Sequence, residues 1–124
     1  MPATGLGAEV KPETLPNVFR KVRDVRGDAP ALRVMRNEKE YIWTWSKYYN
    51  DVIKCAKSLV AVGLQERKAV NICGFNSPEW AIAFFATTFA NAIASGVYAT
   101  NTADARIYQA EHSEAQVIFV DTVE

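Results

Sequence analysis

The sequence predicts an α/β fold: a partial layered domain with a parallel β-α-β-α-β unit, preceded by a helix, a β-hairpin and a second helix. Three observations carry this. Short β-prone runs, Ala69 to Gly74, Gly96 to Thr100 and Gln116 to Val120, alternate with stretches of helical length. Trp80 to Ser95 holds no charge and follows Ser77-Pro78-Glu79, a helix-start signature of cap, first-turn proline and acid at the positive end of the dipole. Ala31 to Arg36 alternates apolar and basic, Glu40 to Trp45 is aromatic and β-branched, and a polar turn separates them, as in a hairpin. A helix between two short apolar strands implies a parallel crossover.

Taken in order, residues 1–13 are rich in Gly, Pro and Ala and read as a loose arm, leaving 14–124 as one incomplete domain. Thr14 is placed to cap a helix bearing Leu15, Val18, Phe19, Val22 and Val25 at helical spacing, closed by Gly27. Ala31 to Arg36 and Glu40 to Trp45 form the hairpin strands about a three-residue Asn37-Glu38-Lys39 loop, with Arg33 and the turn facing water. Thr44 or Ser46 begins a longer helix whose apolar side is Tyr48, Tyr49, Val52, Ile53, Ala56, Leu59 and Val60. Its polar side is Lys47, Asn50, Asp51, Lys54 and Lys57. Gly63-Leu64 reads as a left-handed cap with its apolar contact. The central helix is expected to run from Trp80 to Ser95, with Gly96 stopping it before Val97-Tyr98. A short helix through Glu111 or His112 should bury Ile107, Tyr108 and Ala110. Gln116 to Val120 reads as a strand covered on both faces.

Composition excludes more than it selects. About half the residues are apolar and formal net charge is zero, which suits a globular chain with no overall pull toward nucleic acid. Residues 1–68 carry net +5 and residues 69–124 net −5, the pattern of a polar layer in front of a buried sheet. Cys55 and Cys73 fit neither a zinc spacing nor a disulfide framework. Met1 to Val10 lacks the apolar core of a signal peptide, and a reducing, cytoplasmic setting is expected. The charge-free run from Trp80 to Ala103 is long enough to span a bilayer. Thr87, Thr88, Asn91, Ser95, Asn101 and Thr102, with turn chemistry at both ends, favour a soluble core instead.

Candidate chemistry is sparse. There is no glycine-rich phosphate loop ending in Lys-Ser/Thr and no G-x-G-x-x-G. His112 stands beside Ser113, but sequence adjacency is not a catalytic geometry. Glu111, His112 and Glu114 match no familiar metal spacing. The aromatic group Tyr41, Trp43, Trp45, Tyr48 and Tyr49 is explained by packing without stacked bases. Open α/β sheets bind ligands beyond the carboxyl ends of their strands. That rule selects Gly74, Phe75, Asn76 and Ser77, then Thr100, Asn101 and Thr102, then Asp121 and Thr122. Asn76, Ser77, Thr100 and Asn101 are the substrate-binding candidates; capping and turn formation account for the same residues. No catalytic, cofactor-binding or metal-binding residue is assigned.

Tyr41-Ile42-Trp43-Thr44-Trp45-Ser46-Lys47-Tyr48-Tyr49 and Val70-Asn71-Ile72-Cys73-Gly74-Phe75-Asn76-Ser77-Pro78-Glu79-Trp80 carry a resemblance, continued by Ala94 to Asn101 and Ala110 to Ala115. Over roughly residues 18–121 the chain resembles acyl-CoA synthetases of the adenylate-forming superfamily. It looks most like the bubblegum-like branch of long-chain fatty-acid–CoA ligases. The resemblance implies a parent that activates a fatty acid with ATP and Mg²⁺ to an acyl-adenylate, then transfers the acyl group to coenzyme A. It also implies that the phosphate loop, adenine motif, ribose-binding aspartate and C-terminal lysine lie outside this chain. The chain is therefore expected to be an N-terminal fragment acting as scaffold, inactive alone and binding no cofactor by itself. Its expected partners are the remainder of the synthetase domain and, in the parent, a long-chain fatty acid, with no nucleic acid. The alternative is a non-catalytic module that pairs with a full-length synthetase or a membrane surface. Peripheral contact with the endoplasmic reticulum or another membrane, marginal stability and self-association are further expectations.

Overall fold

The computed structural model describes residues 11–121. Most of the expected arm and Thr122 lie outside them. The order is α1 (Leu15–Arg26), β1 (Pro30–Arg36), β2 (Lys39–Thr44), α2 (Trp45–Ala61), β3 (Ala69–Cys73), α3 (Pro78–Phe89), β4 (Ile93–Val97), α4 (Ala103–His112) and β5 (Ala115–Val120). The expected α/β class and the helix–hairpin–helix lead-in are present. β3 lies between β4 and β5, parallel to both, while β1 and β2 form a separate antiparallel pair.

Local chemistry sets the boundaries. Thr14, Thr44, Ser77 and Thr102 each cap a helix, the side-chain oxygen accepting from a backbone N–H three residues on. Such caps each stabilise by about 1 kcal/mol. α2 ends in a left-handed glycine: Gly63 has φ +92°, its N–H donates to Val60 O, and Leu64 N donates to Leu59 O. Leu64 then packs into the same cluster as Leu59.

Two sequence expectations fail at turns. The hairpin loop has two residues, not three. Asn37 and Glu38 both take positive φ (49° and 61°), so Arg36 pairs directly with Lys39. That is the turn whose twist suits a tight hairpin, here built without the usual glycine. Trp45 likewise belongs to α2 rather than to the strand. The second failure is larger. α3 stops at Phe89, six residues before Ser95, because Asn91 adopts a left-handed φ of 57°. Asn91 N donates to Thr88 O and Ala92 N to Thr87 O, the closing bonds of a left-handed helix cap with asparagine in place of glycine. Gly96 therefore lies inside β4, where Trp80 crosses it; an added Cβ would meet the indole at 3.6 Å.

α3 is the central layer. Ala86 faces the sheet, joining Val70, Ala56, Leu59 and Leu64. Ala81, Ile82 and Phe85 face the other way, toward Phe19, Trp43, Tyr48 and Val52. Phe19 touches Trp45, Tyr48, Tyr49, Phe85 and Phe89, with Phe85 stacked at 4.6 Å and Tyr48 edge-on at 4.8 Å. The Tyr48 hydroxyl donates to Ala81 O at 3.2 Å, and burial pushes its phenol pKa up. Asp51, expected on the water-facing side of α2, instead accepts from Trp43 Nε1 at 3.0 Å and ties the hairpin to that helix.

The opposite face of the sheet is partly open. Asn71 is buried and accepts from Ser113 Oγ at 3.1 Å, where α4 reaches the sheet. Ile118, its register partner in β5, and Val120 are about half exposed, so β5 is covered on one face rather than both. α4 turns Ala105, Gln109 and Ala110 inward, leaving Ile107 and Tyr108 exposed, contrary to the expected buried side. No helix among the described residues is long and apolar enough to cross a membrane, α3 having only 12 residues.

Candidate functional site

β3 and β5 end side by side. Asp121 N donates to Cys73 O at 3.1 Å, extending the parallel ladder one residue past the end of β5. Gly74 permits this convergence: a Cβ there would come within 3.2 Å of the Asp121 Cβ. Beyond the convergence the chain turns through Phe75-Asn76-Ser77 into α3. Between these strand ends, α3 and α2 opens a cleft of about 380 Å³. Its walls are mainly apolar: Ile72, Ile82, Ala83, Phe119 and Trp80, with Cys55 from α2. Ser77, Glu79 and Asp121 add polar groups to the lining.

The polar groups are largely committed to structure. Ser77 Oγ accepts from Trp80 N at 3.1 Å. Glu79 accepts both guanidinium nitrogens of Arg36, at 2.9 and 2.6 Å, which joins the hairpin to the start of α3. The Arg36 hydrogen bond holds the Glu79 carboxyl below the usual carboxylate range, and Glu79 in turn raises the Arg36 pKa. Burial pushes the Cys55 thiol up, away from the thiolate form.

The structure separates the four candidates from sequence. Ser77 lines the cleft, while Asn76 is exposed in the same turn without lining it. Thr100 and Asn101 lie past the end of β4, on the other side of β3 from β5. Asn101 Nδ2 donates to Gln109 Oε1 at 3.1 Å, and Thr100 is exposed. Asp121 joins the cleft. His112 stacks on Tyr108, and the Ser113 hydroxyl is turned to Asn71 and Ala110 O, so the two form no nucleophile–base pair. Glu114 pairs with Lys68 at 2.6 Å, which lowers its pKa. No group of three metal-ligating side chains occurs among the described residues.

Arg36 was invisible from sequence, since its partner lies 43 residues on and its strand merely alternates basic and apolar residues. Cys55 carried a signal only as a member of an apolar helix face.

The cleft suits an apolar group. Two carboxylates, Glu79 and Asp121, line it and would repel a bare anion, and the nearby guanidinium is already held by one of them.

A sequence model of the AMP-binding enzyme family matches residues 19–124. The chain is 37% identical over 121 residues to long-chain-fatty-acid–CoA ligase ACSBG2 of Gallus gallus, covering 98% of this chain and 16% of that protein. It is 38% identical over 111 residues to long-chain-fatty-acid–CoA ligase ACSBG1 of Homo sapiens, covering 90% and 15%. The chain thus spans about one sixth of the length of these relatives. Among solved structures, Klebsiella oxytoca NpsA in complex with 3-hydroxyanthranilyl-AMSN superposes with a TM-score of 0.78 at 18% identity, over 91% of this chain and 22% of that one. At that identity the likeness is one of fold.

Proposed function

The chain belongs to the AMP-binding enzyme family, and from that premise we propose that it forms the scaffold of a long-chain fatty-acid–CoA ligase. The proposed whole reaction joins a fatty acid to AMP, releasing pyrophosphate from ATP, then moves the acyl group to the thiol of coenzyme A. The observation that carries this reading is the likeness of nearly the whole chain to long-chain-fatty-acid–CoA ligases. The fold agrees with it, and so does an apolar cleft at the strand ends.

In this reading the chain contributes layers rather than chemistry. α3, held between the sheet and the aromatic cluster, fixes the ends of β3 and β5. The Arg36–Glu79 pair anchors the hairpin to the same place. Asn76, Ser77, Thr100 and Asn101 remain candidates for contact with substrate only when further structure closes over the strand ends. The groups for ATP, Mg²⁺ and coenzyme A belong to that further structure. The described residues form no cationic cradle for the developing phosphate charge, and in this reading the chain alone makes no acyl-adenylate.

The test is fatty-acid-dependent exchange of labelled pyrophosphate into ATP by the purified 124-residue chain. No exchange above blank is expected, while the same chain joined to the remaining sequence of a relative should exchange. Turnover by the chain alone overturns the scaffold role. A correctly folded chimera without turnover overturns the assignment to this activity.

A further inference from the structure

Asn76 differs from the other asparagines of the chain in the freedom of its side chain and of the peptide nitrogen that follows it. It lies in the exposed turn between β3 and α3, outside any helix or strand, and precedes Ser77, a small residue without a β-branch. Among the described residues neither the Asn76 amide nor the Ser77 N–H has a hydrogen-bond partner; Ser77 is engaged through its oxygens, which accept from Trp80 N and Ala81 N. Each other asparagine is held. Asn17 and Asn50 lie in α1 and α2, and Asn71 is buried in β3. The N–H after Asn91, that of Ala92, donates to Thr87 O at 3.1 Å. Asn101 donates through Nδ2 to Gln109 and precedes the β-branched Thr102. Asn37 is fixed at φ 49° in the hairpin turn and precedes the longer Glu38.

We propose that Asn76 is a site of spontaneous deamidation in this chain. The Ser77 nitrogen gives up its proton and attacks the Asn76 side-chain carbonyl carbon. A C–N bond forms, the amide nitrogen takes up a proton and leaves as ammonia, and a cyclic imide remains. Water then opens either carbonyl of the ring, giving aspartate or isoaspartate. One water is consumed and one ammonia released, with no oxidant, enzyme or cofactor. The reaction is confined to residues 76 and 77, so it requires no open face for a partner, and it is independent of the ligase reading. Either product puts a negative charge immediately before the N-cap of α3, where the helix dipole favours it. Isoaspartate also lengthens the backbone ahead of Ser77, which disturbs the cap that aspartate keeps.

The experiment incubates the full 124-residue chain in mildly alkaline heavy-oxygen water, folded and in urea, and follows each asparagine by peptide mass spectrometry, the heavy oxygen marking each new carboxylate. In the folded chain Asn76 should convert roughly tenfold or more faster than any other asparagine, because the others react only after local opening. In urea its lead over Asn91 should shrink, since unfolding frees the Ala92 N–H. Ser77→Thr keeps a capping oxygen but adds a β-branch beside the attacking nitrogen, and should slow Asn76 about twofold or more. Asn76→Gln, which would have to close a larger ring, should remove the reaction at this position. Unchanged circular dichroism and melting are expected and are checked for both variants. Faster conversion of any other asparagine in the folded chain would overturn the proposal. So would an Asn76 that converts in urea but not in the folded chain, an equal lead in both states, or a folded Ser77→Thr variant that reacts as fast as the original.

Discussion

The two faces of the parallel sheet are treated differently by the rest of the chain. One face, carrying Val70, Ile72, Val117 and Phe119, lies under α3 and α2 and joins the main core. The other, carrying Asn71, Ile118 and Val120, is joined to α4 by the Ser113–Asn71 hydrogen bond and leaves the two apolar side chains of β5 about half in solvent. Yet β5 carries large apolar residues on both faces, Val117 and Phe119 on one and Ile118 and Val120 on the other. The composition of β5 is that of a strand built for cover on both sides, while stability in this chain comes from one. The closed face should therefore hold the fold, and the open face should tolerate change.

The largest expected effect lies in the closed layer, at Phe19. It touches five aromatic rings from two helices, so Phe19→Ala should cost about 3–5 kcal/mol in chemical denaturation. A loss under about 1 kcal/mol would mean that the aromatic layer is not a packed core. The hydrogen bond that joins α4 to the open face comes next. Ser113→Ala removes the donor to Asn71 Oδ1 and leaves a buried amide oxygen unmatched, with an expected loss of about 1–3 kcal/mol. If Ser113→Ala is neutral, α4 is not fastened to the sheet there.

The smallest effect lies at the cleft. Glu79→Gln should cost less than about 1 kcal/mol at neutral pH, since the pair with Arg36 is exposed and screened. The folded-state pKa of Glu79 is lowered, so its contribution is present above the unfolded carboxylate pKa and is lost as pH falls through the folded value. Denaturation of wild type and variant should thus converge at acid pH and at high salt; a gap that widens in acid would contradict the pair's role.

Much of this division was legible in sequence, for identifiable reasons. Caps at Thr14, Thr44, Ser77 and Thr102 and the glycine at Gly63 act over three to six residues, a range in which side-chain chemistry alone decides conformation. Asn91 and the Asn37-Glu38 turn were misread because residues other than glycine took left-handed backbone, a choice made by strand pairing and packing around them. The open face was misread for a different reason. An apolar run reports what a strand is suited to, not which neighbours reach it. The strand-end rule selected Ser77 and Asp121, which line the cleft. The walls contributed by Cys55 and Ile82, and the anchoring Arg36, depend on contacts across dozens of residues that no local pattern records.

The most direct measurement compares the same substitution on the two faces. Ile72 is 3% exposed and Ile118 50%, on neighbouring strands of one sheet. Urea denaturation of Ile72→Ala should show a loss of about 2–5 kcal/mol, and of Ile118→Ala no more than about 1 kcal/mol. Equal losses would contradict the account, since they would require the second face to be as closed as the first.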